Sequence, residues 1–150
     1  MRRLAFTIAL LPVFTALAAC NTSKAPPASA AMSEQVAGEW VLASLRGQAV
    51  PPPPGKTDRV PSLAVTRDGA VSGFAGVNRF AGTTDAAGLN EGRITLDRLA
   101  ATKMAGPEGA NRFEAGYLAA LGEAKVFRVA GSKLELLDAG ERVVATFIRR

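Results

Sequence analysis

From residue 38 to residue 148, turn-forming pairs cut the chain into short apolar runs, and that punctuation narrows the choice of fold more than any other feature. Residues 38–45 are strand-like, with Trp40 and Leu42 on one face. Residues 61–66 run into Asp68-Gly69, a hairpin turn pair, and residues 70–74 return. Residues 93–97 alternate cleanly, which predicts a strand with Ile94 and Leu96 inward. Residues 126–130, the turn Gly131-Ser132 and residues 134–137 form a second hairpin, and Asp138-Ala139-Gly140 turns into residues 143–148. Strands joined this tightly pair antiparallel, because parallel pairing needs a long crossover. One stretch has a different period. Gly106-Pro107-Glu108 reads as a helix start, with proline at the first helical position and an acid near the positive end of the dipole. Phe113, Tyr117 and Leu121 follow at helical spacing, and Gly122 is the expected cap. The order predicts an α+β domain with an antiparallel sheet and one main helix. Pro51 to Pro54 cannot lie in a central strand. They read as a stiff loop, with a proline-peptide ligand as the alternative.

The first 19 residues have the layout of an export signal. Arg2-Arg3 is a positive start, and residues 4–17 are apolar except for Thr7, Pro12 and Thr15. A membrane-spanning helix needs about 20 apolar residues, and this run is shorter. It closes as Leu17-Ala18-Ala19-Cys20, which resembles the bacterial lipobox. There the thiol is diacylated, the chain is cut before it, and the new amine is acylated. Cys20 is therefore the predicted lipid attachment, and two or more acyl chains, at ~0.8 kcal/mol per buried methylene, make a stable anchor. Asn21 replaces the aspartate that resembles an inner-membrane retention signal, which predicts the outer membrane, facing the periplasm. Residues 21–37 are rich in Ala, Pro and Ser and read as a flexible tether. The expected division is signal peptide at 1–19, lipidated cysteine and tether at 20–37, and one domain at 38–150.

Two absences remove most common chemistry. The chain has no histidine and one cysteine, so histidine-based nucleophile activation, histidine metal sites, thiolate zinc sites and internal disulfides are excluded. Asp85, Glu91, Asp97 and Glu108 lie in polar or turn contexts, where nothing raises a carboxyl pKa for acid–base work. No enzyme activity, metal or cofactor is expected. The formal charge is +5, and without Arg2 and Arg3 the 16 remaining basic residues face 13 acidic ones. The basic residues are scattered and form no stripe with interleaved aromatics, so no nucleic-acid partner is expected.

The stretch Val71-Ser72-Gly73-Phe74-Ala75-Gly76-Val77-Asn78-Arg79-Phe80-Ala81-Gly82 resembles the signature of the META domain family, that of the HslJ-like bacterial lipoproteins. A second block, Leu99 to Pro107 with Thr102-Lys103-Met104-Ala105, is similar to that family's Thr-x-Met-Ala-Cys segment. Gly38-x-Trp40-x-Leu42 and Leu134-x-Leu136 also fit, so the resemblance spans residues 38 to 148. It departs at both family cysteines, whose places are held by Val77 and Gly106. A joint loss makes sense if the two positions are neighbours, as in a disulfide or a packed pair. The resemblance implies a role in envelope maintenance or stress tolerance, without a defined biochemical activity.

Each motif residue has two readings. Gly73, Gly76 and Gly82 mark bends or close approaches in a strongly curved sheet, a partial barrel wrapped around the helix. Alternatively they form a backbone pocket for an anion, with Arg79 and Lys103 nearby. Asn78 either satisfies loop backbone groups or contacts a ligand, and Thr102 poses the same choice. Trp40 packs on the inner face or serves surface recognition. The leading expectation is a non-catalytic outer-membrane lipoprotein that acts by binding an envelope protein or small ligand. The alternatives are an inhibitor of a lysozyme-type hydrolase, presenting the segment from Gly82 to Gly92, and a carrier of an apolar ligand inside the curved sheet.

Overall fold

The hairpins form at the turn pairs. In the computed structural model, which describes residues 28–50 and 59–150, the elements run α1 (Ala28–Val36), β1 (Gly38–Leu45), β2 (Gln48–Ala49), β3 (Ser62–Val65), β4 (Ala70–Phe74), β5 (Arg79–Thr83), α2 (Ala86–Asn90), β6 (Ala100–Ala101), α3 (Glu108–Glu123), β7 (Val126–Ala130), β8 (Lys133–Leu137) and β9 (Val143–Arg149). The export segment, Cys20 and the proline run 51–54 lie outside the described residues. At Asp68-Gly69 the backbone reverses with Gly69 at φ +86°, and Thr66 donates its N–H to the Ala70 carbonyl at 2.9 Å. The turn into β9 is held by Asp138. Its Oδ1 accepts from the backbone N–H groups of Gly140 (2.8 Å) and Arg142 (3.0 Å), which hold this carboxyl below the usual carboxylate range.

The strands make one antiparallel sheet in the order β6-β5-β4-β3-β1-β9-β8-β7, with β2 folding back on β1. β1 is central, paired with β3 on one side and with β9 on the other. The sheet curves around α3 without closing, and the fold is α+β as expected. Alternate residues of β1, β3, β4, β5 and β9 face α3, so Trp40, Leu63, Val71, Phe80 and Phe147 are buried together. Tyr117 stands at the centre of α3's apolar stripe, with Phe80, Phe113 and Phe147 around it at ring distances of 6.1 to 6.3 Å. Its hydroxyl donates to the Ser62 carbonyl at 3.1 Å, and burial pushes the phenol well above its ordinary pKa.

Four expectations are corrected. Residues 93–97 do not form a strand. They pair only at an Arg93–Val126 bridge, and the Thr95 N–H goes to the Thr84 hydroxyl instead. Ile94 and Leu96 are nevertheless buried, because this segment crosses the gap between the β7 edge and β6. Gly122 does not end the helix, which runs on to Glu123 and is capped at Ala124. Pro107 sits at the cap position just before the helix. The stretch read as tether is helical at Ala28–Val36, and Val36 is fully buried. Two β9 and β1 side chains hold that helix. The Trp40 indole N–H donates to the Val36 carbonyl at 2.8 Å, and Arg149 donates to the carbonyls of Ala37 (3.0 Å) and Gln35. The Arg149 guanidinium also lies 4.2 Å from the centre of the Trp40 ring, so one cation caps the helix C-terminus and covers the indole face.

Candidate functional site

Four residues, Ala75-Gly76-Val77-Asn78, join β4 to β5. The Ala75 N–H donates to the Asn78 carbonyl at 2.8 Å, and Gly76 takes φ +117°, a region that side-chain-bearing residues avoid. This turn throws the Asn78 side chain inward, where it is 4% exposed. A carboxamide has two N–H donors and an oxygen with two lone pairs. Here all four are taken. Nδ2 donates to the Met104 carbonyl (3.1 Å) and to Glu114 Oε1 (2.8 Å), while Oδ1 accepts from the Thr102 hydroxyl (2.8 Å) and the Met104 N–H (2.7 Å). The donors and acceptors around it define the amide's orientation.

Glu114, from α3, completes the arrangement. Its Oε2 accepts from the backbone N–H groups of Val77 (3.1 Å) and Asn78 (2.6 Å). Two successive N–H groups aimed at one carboxylate oxygen are an anion nest, and the anion it holds is the chain's own Glu114. The N–H groups of Val77 and Asn78 are thus occupied by Glu114, while Arg79 and Lys103 take no part in this nest. Glu114 escaped the sequence reading because nothing in its local pattern sets it apart. It gains its role only when α3 lies beneath the turn 75–78.

Each motif glycine has a steric reason. A Cβ on Gly73 would stand 2.1 Å from the Ser62 carbonyl and 2.4 Å from the Phe80 ring, which packs across the gap. A Cβ on Gly82 would lie 2.8 Å from both the Arg98 carbonyl and Leu99, where the chain leading into β6 presses on β5. At Gly76 the backbone conformation itself demands glycine.

Val77 and Gly106 prove to be neighbours. A Cβ on Gly106 would sit 2.6 and 2.9 Å from the two Val77 methyl carbons, so the valine fills the place a partner side chain would need. Gly106 is fixed there by Asn111, which accepts its N–H (3.2 Å) and donates to its carbonyl (2.8 Å). We expect Gly106→Ala to cost about 1–3 kcal/mol by overpacking, with Val77→Ala in the same chain recovering most of it. Cysteines at both positions should oxidise to a disulfide and add about 2–4 kcal/mol through a closed loop of about 30 residues. Thiol titration and melting with and without reductant check this; two free thiols under oxidising conditions would refute the geometry.

The remaining motif residues differ in exposure. Thr102 is exposed, yet it bridges the strands: its Oγ1 also accepts the Arg79 N–H at 3.3 Å, and its own N–H reaches the Arg79 carbonyl at 3.0 Å. Arg79 and Lys103 are exposed, and Trp40 is fully buried. The segment from Gly82 to Gly92 does not protrude. It holds α2, capped by the Asp85 carboxylate on the N–H groups of Ala87 and Gly88, with Leu89 fully buried. The space between the middle of α3 and the sheet is filled by the chain's own rings and leucines, and a cleft of about 390 Å³ opens where Phe113 and Gly116 of α3 face Leu45, Ala49 and Val50. Among the described residues no group of three carboxylate or thiol side chains is placed to hold a metal ion.

Larger open spaces lie on the outer face of the sheet. Small side chains, Ala64, Ser72, Ala81 and Ala100, floor a cleft of about 610 Å³ across β3, β4, β5 and β6. It adjoins a second cleft of about 570 Å³ edged by Arg59, Arg79 and Arg150 around Phe74 and Met104.

A curved antiparallel sheet around a single helix, with a saturated Asn78–Glu114 hub, defines a small α+β partial-barrel domain. The META domain family model matches residues 33–150, and the chain belongs to that family. The match begins at Ser33, inside α1, in line with the burial of Val36. No curated protein matches the chain. Among solved structures it is similar to a protein from Burkholderia xenovorans, determined by NMR, with TM-score 0.61 and 24% identity over 95% of this chain and 99% of that one. A second NMR structure has TM-score 0.57 and 24% identity, over 78% and 93% of the two chains. A DUF4847 family protein from Bacteroides vulgatus has TM-score 0.51 and 16% identity, over 77% and 94%. These likenesses bear on the fold.

Proposed function

We propose that this META domain is the non-catalytic binding domain of a lipoprotein tethered through Cys20 to the periplasmic face of the outer membrane, serving envelope maintenance or stress tolerance. The observation that carries the binding reading is the saturation of the motif. Asn78, Thr102, Glu114 and the 77–78 N–H groups are taken up by one another, so none is left to activate a substrate. The motif thus builds a rigid frame, and the exposed clefts of the outer sheet face are where a partner can be met. Export and anchoring rest on the sequence: the apolar run 4–17, the small residues before Cys20, and Asn21 after it.

Fractionation of the expressing cell tests the tether. The natural chain is expected in the outer-membrane fraction and in the detergent phase, carrying an acylated Cys20. Cys20→Ser should abolish acylation and move any processed chain to the soluble periplasmic fraction. If the variant stays membrane-bound like the natural chain, the lipid tether is wrong.

A further inference from the structure

The cleft around Phe74 has a composition that the frame does not explain. Arg59, from the segment entering β3, Arg79, at the start of β5, and Arg150, after β9, are far apart in sequence, and the fold brings all three to one 570 Å³ cavity. No carboxylate lines it among the described residues. Among the described residues Arg59 and Arg79 have no ion-pair partner, and Arg150 has only a long, exposed contact with Glu39 at 3.7 Å. Elsewhere arginines do find acids, as in Arg46–Glu123 and Arg142–Asp138, both at 2.7 Å. Three guanidiniums left together repel one another, a cost that an anion removes by accepting forked hydrogen bonds from them. The cavity is not wholly polar. Phe74 forms part of its wall, and Met104, 56% exposed, stands at its edge, so an apolar group beside the anion also has a surface to meet.

We propose that this cleft binds the phosphate headgroup of an anionic phospholipid, with Arg59, Arg79 and Arg150 on the phosphate and Phe74 and Met104 against the start of the acyl chains. This deepens the binding role proposed above and rests on it for access to lipid. Charge complementarity and position both favour a lipid over a soluble phosphoester. Arg149 clamps the end of α1, so Arg150, the next residue and one wall of the cleft, stands beside the point where the N-terminal segment joins the domain. α1 is nine residues, roughly 13 Å at 1.5 Å per residue. The eight residues from Cys20 to Ala28 add at most ~28 Å, so an anchored domain holds the cleft within reach of headgroups. Bound in this way, the lipid fixes which face of the domain turns to the membrane.

The test uses the full chain with Cys20→Ser, so that no acyl anchor registers, titrated with dihexanoyl phosphatidylglycerol below its micelle concentration. Calorimetry or amide-shift mapping reads the binding. Saturable binding is expected, with shifts at residues 59–62, 74, 79, 102–104 and 150, weakening at least tenfold between 50 and 500 mM salt, roughly as screening of exposed charge predicts. The double variant Arg59→Gln, Arg79→Gln should lose at least tenfold in affinity while its melting temperature stays unchanged, since neither side chain supports the core. Dihexanoyl phosphatidylcholine should bind at least fivefold more weakly. Equal binding of glycerol phosphate overturns the lipid assignment in favour of a soluble phosphoester. Binding that is absent, or indifferent to the two substitutions, overturns the site. A chain that binds phosphatidylglycerol but is never acylated in the cell refutes the tether alone; an acylated chain without this binding refutes the cleft alone.

Discussion

Asn78→Ala is expected to lower stability by about 2–4 kcal/mol, because it strands several buried partners at once, each worth about 1–3 kcal/mol when left unsatisfied. The Thr102 hydroxyl, both polar atoms of the Met104 backbone and one oxygen of Glu114 lose their partner in a single change. Water reaches Thr102 and Met104 more easily than Glu114, which keeps the figure below a simple sum. Asn78→Asp should be at least as damaging. It replaces the N–H that meets Glu114 at 2.8 Å with a second negative oxygen. Glu114→Gln added to Asn78→Asp should then recover about 2 kcal/mol. The glutamine amide donates to the new carboxylate, while its oxygen still accepts from the N–H groups of Val77 and Asn78. Urea denaturation of the four chains closes the cycle. Additive losses would mean that Asn78 and Glu114 are not the coupled pair their geometry makes them.

Trp40→Ala should cost about 3–5 kcal/mol, in line with truncating a buried aromatic, out of a total that for a domain of this size is about 5–15 kcal/mol. Trp40 is fully buried, and its loss is wider than a cavity. The indole N–H no longer holds the Val36 carbonyl, and Arg149 loses the ring beneath its guanidinium. Two of the fastenings of α1 go together, so amide exchange in residues 33–37 should accelerate beyond the global change. Trp40→Phe keeps most of the apolar contact but not the hydrogen bond, and should lose about 1–2 kcal/mol. The readouts are melting temperature and hydrogen exchange. If α1 exchanges no faster in Trp40→Ala than the core strands do, the clamp is not what keeps the helix docked.

Legibility followed the range of the interactions. Turns are local, so Asp68-Gly69, Gly131-Ser132 and Asp138-Ala139-Gly140 could be read from adjacent residues, and the three hairpins they predict are present. The apolar stripe Phe113, Tyr117, Leu121 is equally local and faces the core as its spacing requires. Residues 93–97 show the opposite case. Their alternation is real, and Ile94 and Leu96 are buried, but a strand also needs a neighbour, and only Arg93 finds one. β5 was hidden for a related reason: its glycine and small side chains look like a bend until β4 lies alongside, from Ala70–Thr83 to Phe74–Arg79. α1 has little to bury by composition, and what secures it is Trp40 and Arg149, from the two ends of the domain.

The Gly-x-x-Gly-x-Asn stretch, the missing cysteine pair and the curved α+β frame were all visible in one dimension, since each rests on neighbouring residues or on spacing along a single element. Folding alone decided that the anion of the glycine turn is Glu114, that Val77 fills the space beside Gly106, and that Arg59, Arg79 and Arg150 share one cleft. Those pairings join residues 20 to 91 positions apart, and no local rule of propensity or periodicity specifies which distant groups a folded sheet brings together.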